Sequence, residues 1–162
     1  MTSQVVLVSN ATDAASWLPD IRAIPDVRSE RGSLVGIHTA LAHAAPGDDV
    51  LAVAWDMPFV TDDLLRLIRD CAEHATFAAV PEGPAGLEPL CAVYRPYALP
   101  FVVAAIDAGD LRLSNLFARL PAYERISRAA IAKVGDPARL FFNVNSADDL
   151  AVAERMARDG TT

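Results

Sequence analysis

The sequence contains no apolar run long enough to cross a bilayer, and its N-terminus lacks a basic region followed by a signal-type apolar core. These absences argue against a membrane-spanning segment and against a secretory signal. They predict a cytoplasmic protein without a membrane partner. Internal repeats, low-complexity tracts and linkers are also absent, which predicts a single domain over residues 1–162.

Residue types that bind metals are scarce and poorly spaced. The two cysteines, Cys71 and Cys91, show no metal-ligand spacing, and their apolar or helical surroundings favour buried thiols over a disulfide or a zinc site. The three histidines, His38, His43 and His74, fall on predicted helices and form no ligand cluster. We therefore expect none of these residues to hold a metal.

Basic residues are outnumbered by acidic ones, 14 to 21, which gives a net charge of −7. Surfaces that bind nucleic acid usually carry a basic face, so this balance argues against a nucleic-acid partner. It leaves a small phosphorylated ligand open, because a single cleft can be locally positive on an acidic protein.

Short apolar strands alternate with amphipathic helices along almost the whole chain. With 52% hydrophobic and 22% charged residues, the chain can bury a substantial core. The alternation predicts an α/β protein with a mostly parallel sheet and helices on both faces. Strands are predicted at residues 4–8, 21–24, 50–54, 76–80 and 90–94. Residues 141–145 fit a short strand or an extended segment, and residues 123–134 fit either a helix or a strand.

The strand predicted at residues 50–54 leads to the most informative candidate, Asp56. Its unbroken apolar run suits a strand buried on both faces, and Pro58 ends the ladder because it has no N–H group. Ligands of open α/β sheets bind beyond the carboxyl ends of the strands, where a carboxylate could hold a divalent cation against a phosphorylated substrate. From local sequence alone, Asp56 could equally turn the chain into the next helix.

The helix predicted at residues 33–45 contains a glycine, Gly36, which costs about 1 kcal/mol relative to alanine. Such a glycine often marks close approach by another backbone or a ligand, so Gly36 is a candidate ligand-binding position. Ser33 is predicted to cap this helix, as Thr61 is predicted to cap the next. The arginines of the polar segment 27–32 are candidates for phosphate contacts, although a solvated loop is the favoured interpretation.

Four segments carry a family resemblance through their order and spacing along the chain. They are Gly-Ser-Leu-Val-Gly-Ile-His-Thr-Ala-Leu at 32–41, Ala-Trp-Asp-Met-Pro-Phe-Val at 54–60, Glu-Pro-Leu-Cys-Ala-Val-Tyr-Arg at 88–95 and Phe-Phe-Asn-Val-Asn-Ser-Ala-Asp-Asp-Leu at 141–150. Together they resemble the molybdenum cofactor guanylyltransferase family over nearly the whole chain. The resemblance implies a Rossmann-like, three-layer α/β/α nucleotidyltransferase fold. It also implies transfer of GMP from Mg-GTP to molybdopterin-bound molybdenum, with release of pyrophosphate.

The resemblance assigns roles to particular residues. Asp56 matches the Mg²⁺-binding aspartate of an Asp-x-Pro motif, and this residue is the implied catalytic and metal position. Asn10 matches an asparagine in the nucleotide pocket, and Asp26 matches an aspartate just before the Gly-x-Leu-x-Gly segment, so both are implied ligand-binding positions. Asn143 and Asn145 match an Asn-x-Asn pair near the pterin. Implied ligands are Mg²⁺, GTP and molybdopterin, and the candidate protein partners are molybdoenzymes or cofactor-delivery proteins. From the residues alone, the asparagines and Asp26 fit ordinary turns as well.

The sequence departs from the family pattern at its start. Family members begin with a strand and a glycine-rich loop that cradles phosphates through backbone amides and a lysine, and residues 1–162 contain no such loop. Either the true start lies upstream, or the chain is a shortened relative with altered function. The missing strand would leave a gap or unpaired edges in the sheet. Without the loop, residues 1–162 alone are expected to be weakly active or inactive. Three functions remain open: the guanylyltransferase, a non-catalytic nucleotide- or pterin-binding protein, and a nucleotidyltransferase with another substrate.

Overall fold

The computed structural model describes residues 4–159, so the outermost residues of the predicted domain, 1–3 and 160–162, lie outside the described residues. No helix among residues 4–159 is long and apolar enough to cross a membrane. A 3₁₀ turn, Pro96–Ala98, leads into the fourth helix. The strands are β1 (Val6–Val8), β2 (Arg22–Ile24), β3 (Val50–Val53), β4 (Ala78–Gly83), β5 (Gly86–Leu87), β6 (Cys91–Tyr94) and β7 (Glu124–Ile126). The helices are α1 (Ala14–Trp17), α2 (Ser33–His43), α3 (Asp62–Ala72), α4 (Leu99–Asp107), α5 (Leu113–Arg119), α6 (Arg128–Ile131), α7 (Pro137–Leu140) and α8 (Ala147–Asp159).

The strands form two sheets. β1 and β2 pair in parallel as a two-stranded sheet, and the other five strands form a second sheet in the order β3-β6-β4-β5, with β7 beside β4. β7 runs parallel to β4, whereas the β3–β6, β4–β6 and β4–β5 pairs are antiparallel. The predicted α/β class is confirmed, but the sheet is mixed rather than mostly parallel. The reason is a tight return after β4, helped by the positive φ of Gly86 (138°), which sends β6 back between β3 and β4.

The most buried strand is β6, whose four residues are all buried, and not the strand predicted at residues 50–54. β3 covers residues 50–53 and pairs with β6 alone among the described strands. Its other edge has no described neighbour, so its side chains are only half-buried and Val53 is 42% exposed. The expectation of a strand buried on both faces is therefore wrong for β3, and the fully buried strand is β6, for which no such burial was predicted.

Helices cover both faces of the larger sheet, as predicted. Side chains alternate along a strand, so neighbouring residues enter different layers. Val80 and Tyr94 pack with buried side chains of α2, α4 and α5 on one face. Ala79 and Val93 pack with buried side chains of α3, α6 and α7 on the other. This arrangement is the three-layer α/β/α architecture.

The two helix N-caps predicted from the sequence, Thr61 and Ser33, have different outcomes. The Thr61 hydroxyl accepts a hydrogen bond from the Leu64 N–H group at 3.3 Å, which confirms the predicted cap of α3. The predicted cap by Ser33 is wrong, because Ser33 is already the first residue of α2 and the preceding Gly32 has no side chain to accept a bond.

The region after β6 differs most from expectation. Residues 141–145, for which a short strand or an extended segment was predicted, form no strand, and the chain there is irregular after the short helix α7. That helix begins where Asp136 caps it and Pro137 occupies its first position, a favourable place for proline. Residues 123–134, which fitted either type of element, contain both: β7 is followed by α6.

Candidate functional site

Two of the predicted site residues, Asn10 and Asp26, lie at neighbouring strand ends and bind each other. Asn10 follows β1 and Asp26 follows β2, and parallel pairing brings these carboxyl ends together. The Asn10 side chain donates from Nδ2 to Asp26 Oδ2 at 2.7 Å, and its Oδ1 accepts from the Asp26 backbone amide at 2.9 Å. This reciprocal pair fixes both side chains at the edge where open α/β sheets bind ligands.

A third residue, Thr39, supports this pair and was missed by the sequence analysis. Thr39 is fully buried in α2, and its hydroxyl lies 3.0 Å from Asp26 Oδ1 and 2.9 Å from the Val35 carbonyl oxygen. The same hydroxyl accepts a hydrogen bond from the Val27 amide at 3.1 Å. A threonine among the apolar positions of α2 was the available signal. A buried hydroxyl requires hydrogen-bond partners. Thr39 therefore positions the Asp26 carboxylate through its hydrogen bond.

Asp56 lies just beyond β3, as predicted, and its carboxylate is poorly satisfied. Its Oδ1 is one of two buried side-chain polar atoms that lack a hydrogen-bond partner among the described residues. Its backbone carbonyl accepts a hydrogen bond from the Val144 amide at 2.9 Å. That bond fixes the loop after β3 against the Asn-x-Asn segment, so Asp56 and the two asparagines share one region of the molecule.

The two asparagines of that segment have different surroundings. Asn143 is half-buried and donates from Nδ2 to the Phe141 carbonyl at 3.1 Å. Asn145 is exposed, and its backbone amide donates to Asp149 Oδ2 at 3.1 Å. Ser146 donates to the same carboxylate oxygen at 2.8 Å, and this hydrogen bond lowers the pKa of Asp149. The predicted capping motif of α8 is thus confirmed, and Asn145 belongs to it through its backbone.

Gly36 does not accommodate another part of the chain. A Cβ atom built there would meet no described atom within 4 Å apart from its chain neighbours and the backbone of its own helix. Of the two predicted alternatives, close approach by another backbone or by a ligand, the first is therefore wrong. The space beside this half-buried helical position is open.

Arg28, one of the arginine candidates of segment 27–32, is engaged in ion pairs. Arg28 Nη2 pairs with Asp107 Oδ1 on α4 at 2.5 Å, and Arg28 Nη1 lies 4.0 Å from Glu30 Oε1. Ion pairs at the surface contribute little to stability. The solvated interpretation of segment 27–32 therefore fits Arg28.

An aromatic stack links the two groups of predicted site residues. The indole rings of Trp17 and Trp55 stack with centroids 6.1 Å apart and planes inclined by 25°. Trp17 ends the helix that follows Asn10, and Trp55 immediately precedes Asp56. No hydrogen bond or ion pair within residues 4–159 joins the Asn10–Asp26 pair directly to Asp56, and the stack packs the two regions against each other.

A cavity of about 460 Å³ opens beside Asn143 and contains a second residue that the sequence analysis did not single out, Glu88. Burial raises the pKa of Glu88 to about 7. Burial, followed by the nearby Glu88 carboxylate, raises the pKa of Cys91 to about 12, so that thiol stays protonated at neutral pH. The sequence feature that could have indicated Glu88 is an acidic residue between two apolar stretches, at the start of the segment 88–95 that resembles the family.

A metal at this site would have few protein ligands. No group of three or more His, Cys, Asp or Glu side chains in residues 4–159 is arranged to hold a metal ion. The buried, unpartnered Asp56 Oδ1 nevertheless fits one ligand of a hard cation, since carboxylate oxygens suit such ions. Mg²⁺ commonly binds through one or two carboxylates together with substrate phosphates, so the arrangement fits a metal that arrives with a nucleotide.

Polar side chains gathered beyond strand ends on an α/β scaffold are the arrangement of nucleotide-binding α/β proteins. The family model for the MobA-like NTP transferase domain matches residues 1–125. The chain therefore belongs to the family of MobA-like NTP transferases, which confirms the resemblance found in the sequence.

Curated relatives and a solved structure agree with this membership. The chain is 31% identical to a probable molybdenum cofactor guanylyltransferase from Pelotomaculum thermopropionicum, over 97% of this chain and 75% of that protein. It is 28% identical to the molybdenum cofactor guanylyltransferase of Desulfosudis oleivorans, over 96% and 75%. The crystal structure of molybdopterin-guanine dinucleotide biosynthesis protein A from Archaeoglobus fulgidus superposes with a TM-score of 0.78 at 28% identity, covering 95% of this chain and 78% of that one.

Proposed function

We propose that this protein transfers GMP from GTP to the molybdopterin cofactor and releases pyrophosphate. The observation that carries the proposal is the similarity to proteins named molybdenum cofactor guanylyltransferase across 96–97% of the chain. The protein acts on small-molecule nucleotide and pterin substrates. The single domain over residues 1–162, the cytoplasmic location and the delivery partners predicted from the sequence are part of this proposal.

Asp56 is the residue proposed to hold Mg²⁺ and, through it, the triphosphate. Its buried Oδ1 has no described partner, which supports a role that only a ligand completes. When bound, Mg²⁺ neutralises charge on the phosphate oxygens and orients the leaving group. The protein itself supplies positioning, since phosphoryl-type transfer needs little covalent chemistry from side chains.

Asn10 and Asp26 are proposed to contact the nucleotide. Their mutual hydrogen bonds keep both side chains in one arrangement before a ligand arrives, and preorganised groups lose less entropy on binding. Thr39 acts through Asp26 as a positioning residue. The open space beside Gly36 is compatible with the ligand-binding role predicted for that residue.

Asn143 and Asn145 are proposed to serve the pterin side. The transfer joins a phosphate oxygen of the acceptor to the α-phosphorus of GTP and breaks the bond from that phosphorus to pyrophosphate. Both substrates must therefore meet near Asp56. The hydrogen bond from Val144 to Asp56 supports this arrangement, because it ties the residue between the two asparagines to the proposed metal position.

Pyrophosphate release tests the proposal. The purified protein is incubated with Mg²⁺, GTP and molybdopterin loaded with molybdenum, beside its Asp56→Asn variant and an Asp70→Asn control. Asp70 forms a surface ion pair with Arg69, so its loss should leave the site unchanged. The wild type and the control should release pyrophosphate only when both substrates are present, and Asp56→Asn should be reduced by about a hundredfold or more.

The glycine-rich loop absent from residues 1–162 makes nucleotide binding a necessary second measurement. Tight, Mg²⁺-dependent GTP binding without pyrophosphate release would support the non-catalytic binding protein instead. Pyrophosphate release from CTP, or from a nucleoside triphosphate with a sugar phosphate as acceptor, but not from GTP with molybdopterin, would support a nucleotidyltransferase with another substrate.

A further inference from the structure

The cavity beside Asn143 contains a carboxylate that no part of the described chain satisfies. Within residues 4–159, no side chain or amide donates a hydrogen bond to the Glu88 carboxylate, although Glu88 is half-buried. Burial alone raises the pKa of this group to about 7. Partial burial removes water from this carboxylate, and N–H donors of a ligand in the cavity would replace the lost hydrogen bonds.

Two backbone hydrogen bonds and the space beside a glycine fix the position of Glu88. The Glu88 amide donates to the Pro81 carbonyl at 2.9 Å, and the Glu88 carbonyl accepts from the Cys91 amide at 3.0 Å. Its side chain lies against Gly83, where a Cβ atom would stand 2.7 Å from the Glu88 Cδ and would collide with Oε1. A glycine at that point of β4 is therefore what lets the carboxylate occupy this place.

The rest of the cavity suits a flat ring. Its walls include Leu87, Phe141 and Phe142, and its polar groups are those of Glu88 and Asn143. At about 460 Å³, its volume lies within the range of small-molecule pockets, which combine apolar walls with a few polar groups that fix orientation. Asn143 Nδ2 is held by the Phe141 carbonyl, which leaves its Oδ1 as a further acceptor.

We propose that Glu88 reads the amino edge of a 2-amino-4-oxopyrimidine ring, accepting hydrogen bonds from the ring N–H and the 2-amino group with its two carboxylate oxygens. Two parallel N–H donors match a carboxylate as a guanidinium group does. Guanine and pterin share this edge, so the recognition chemistry is the same for both substrates. The inference rests on the proposed function for the choice of ring, and it adds a specificity-determining residue.

Paired ligands isolate this contact. Pterin and lumazine differ at position 2, where lumazine has a carbonyl in place of the amino group, and GTP and XTP differ in the same way. The intrinsic fluorescence of the ligands measures the affinities for pterin and lumazine, and calorimetry with Mg²⁺ measures the affinities for GTP and XTP. The Glu88→Gln variant keeps the size of the side chain but presents one acceptor and one donor, and that donor suits a 2-carbonyl group.

The wild type should prefer the 2-amino ligand of the pair that occupies this cavity, and Glu88→Gln should reduce that preference by about tenfold or more. A purely structural effect would weaken both members of a pair equally. Glu82→Gln is the matched control, because Glu82 pairs with Arg125 at 2.7 Å and is not part of the cavity wall. Gly83→Ala is a second variant, since the added methyl group displaces the Glu88 carboxylate and should also reduce the preference.

Discrimination that depends on Glu88 in the pterin pair assigns the cavity to the acceptor, and in the nucleotide pair it assigns the cavity to the guanine base. Unchanged preference in both pairs, for both the Glu88→Gln and the Gly83→Ala variants, overturns the inference. The proposed function is judged separately by pyrophosphate release. Transfer without Glu88-dependent discrimination refutes only this inference, whereas discrimination without transfer refutes only the enzymatic proposal.

Discussion

The backbone amide of Val144 donates a hydrogen bond to the backbone carbonyl of Asp56, with nitrogen and oxygen 2.9 Å apart. This bond joins two loops that are far apart in sequence, one after β3 and the other between α7 and α8. Because both groups are backbone atoms, the link survives substitution of the Asp56 side chain. Variants at Asp56 therefore report on the carboxylate and leave the junction in place.

Asp56 should bind Mg²⁺ only together with a nucleotide. A single carboxylate is a weak site for an ion that keeps several water molecules and relies on substrate phosphates. Calorimetric titration with Mg²⁺ should show tight binding in the presence of GTP and little without it, and Asp56→Asn should abolish the nucleotide-dependent part. Tight binding in the absence of nucleotide, or equal binding by the variant, would contradict the assignment.

Replacing Thr39 with valine should destabilise the protein and weaken nucleotide binding together. The change leaves the Val27 amide without its acceptor and removes the hydroxyl beside Asp26, at a cost of about 1–3 kcal/mol in the free energy of unfolding. Urea unfolding and GTP titration measure the two effects. Thr39→Ser keeps the hydroxyl and should retain GTP affinity, and equal loss of affinity in both variants would show that the hydroxyl does not position Asp26.

Glu88 should make the protein less stable as the pH rises from about 4.5 to about 7. Its pKa is raised to about 7 in the folded state by burial, from an ordinary value of 4.5, so in this window the unfolded chain releases the proton that the folded chain retains. The Glu88→Gln variant lacks this proton. Urea unfolding should show the wild type losing about 1 kcal/mol relative to the variant between pH 4.5 and pH 8, after allowance for the solvent exposure of Glu88. A difference that stays constant with pH would contradict the raised pKa.

Tyr94→Phe should lower the free energy of unfolding by about 1 kcal/mol. The Tyr94 hydroxyl donates to the Pro89 carbonyl at 2.7 Å, and its ring is fully buried. Tyr97→Phe is the matched control, because Tyr97 is 68% exposed and should be insensitive to loss of its hydroxyl. Similar urea midpoints for the two variants would mean that the buried hydrogen bond contributes nothing net.

The fold class and the places of several candidate residues beyond strand ends could be predicted from local patterns, whereas the choice of Asn10 and Asp26 as candidates came from the family resemblance. Apolar runs that end at Asn10 and Asp26 indicated strands, and the parallel pairing of β1 with β2 then brings these residues together. The place of Asp56 followed in the same way from the run before it and from Pro58. In each case the position at a strand end was the informative feature.

The missed features depend on contacts between distant parts of the chain. The insertion of β6 between β3 and β4 is decided by the return after β4, and it places the most buried strand where the sequence indicated an ordinary one. The environment of Glu88 depends on Gly83 and on residues after α7, about 50 positions away. Thr39 looks like one polar residue in a helix until Asp26 is placed beside it. No periodicity encodes such relationships.

The most direct test of the account is to identify the product. The protein is incubated to an end point with molybdopterin loaded with molybdenum, Mg²⁺ and equal concentrations of GTP and CTP, and the cofactor is analysed by chromatography and mass spectrometry. A long incubation accumulates product even when turnover is slow, and samples taken before the substrate is exhausted give the rate of accumulation. The account predicts the guanine dinucleotide in excess over the cytosine form with the wild type, and accumulation about a hundredfold slower or more with Asp56→Asn. Absence of the guanine dinucleotide from the wild-type reaction, or an equal rate of accumulation with Asp56→Asn, would contradict it.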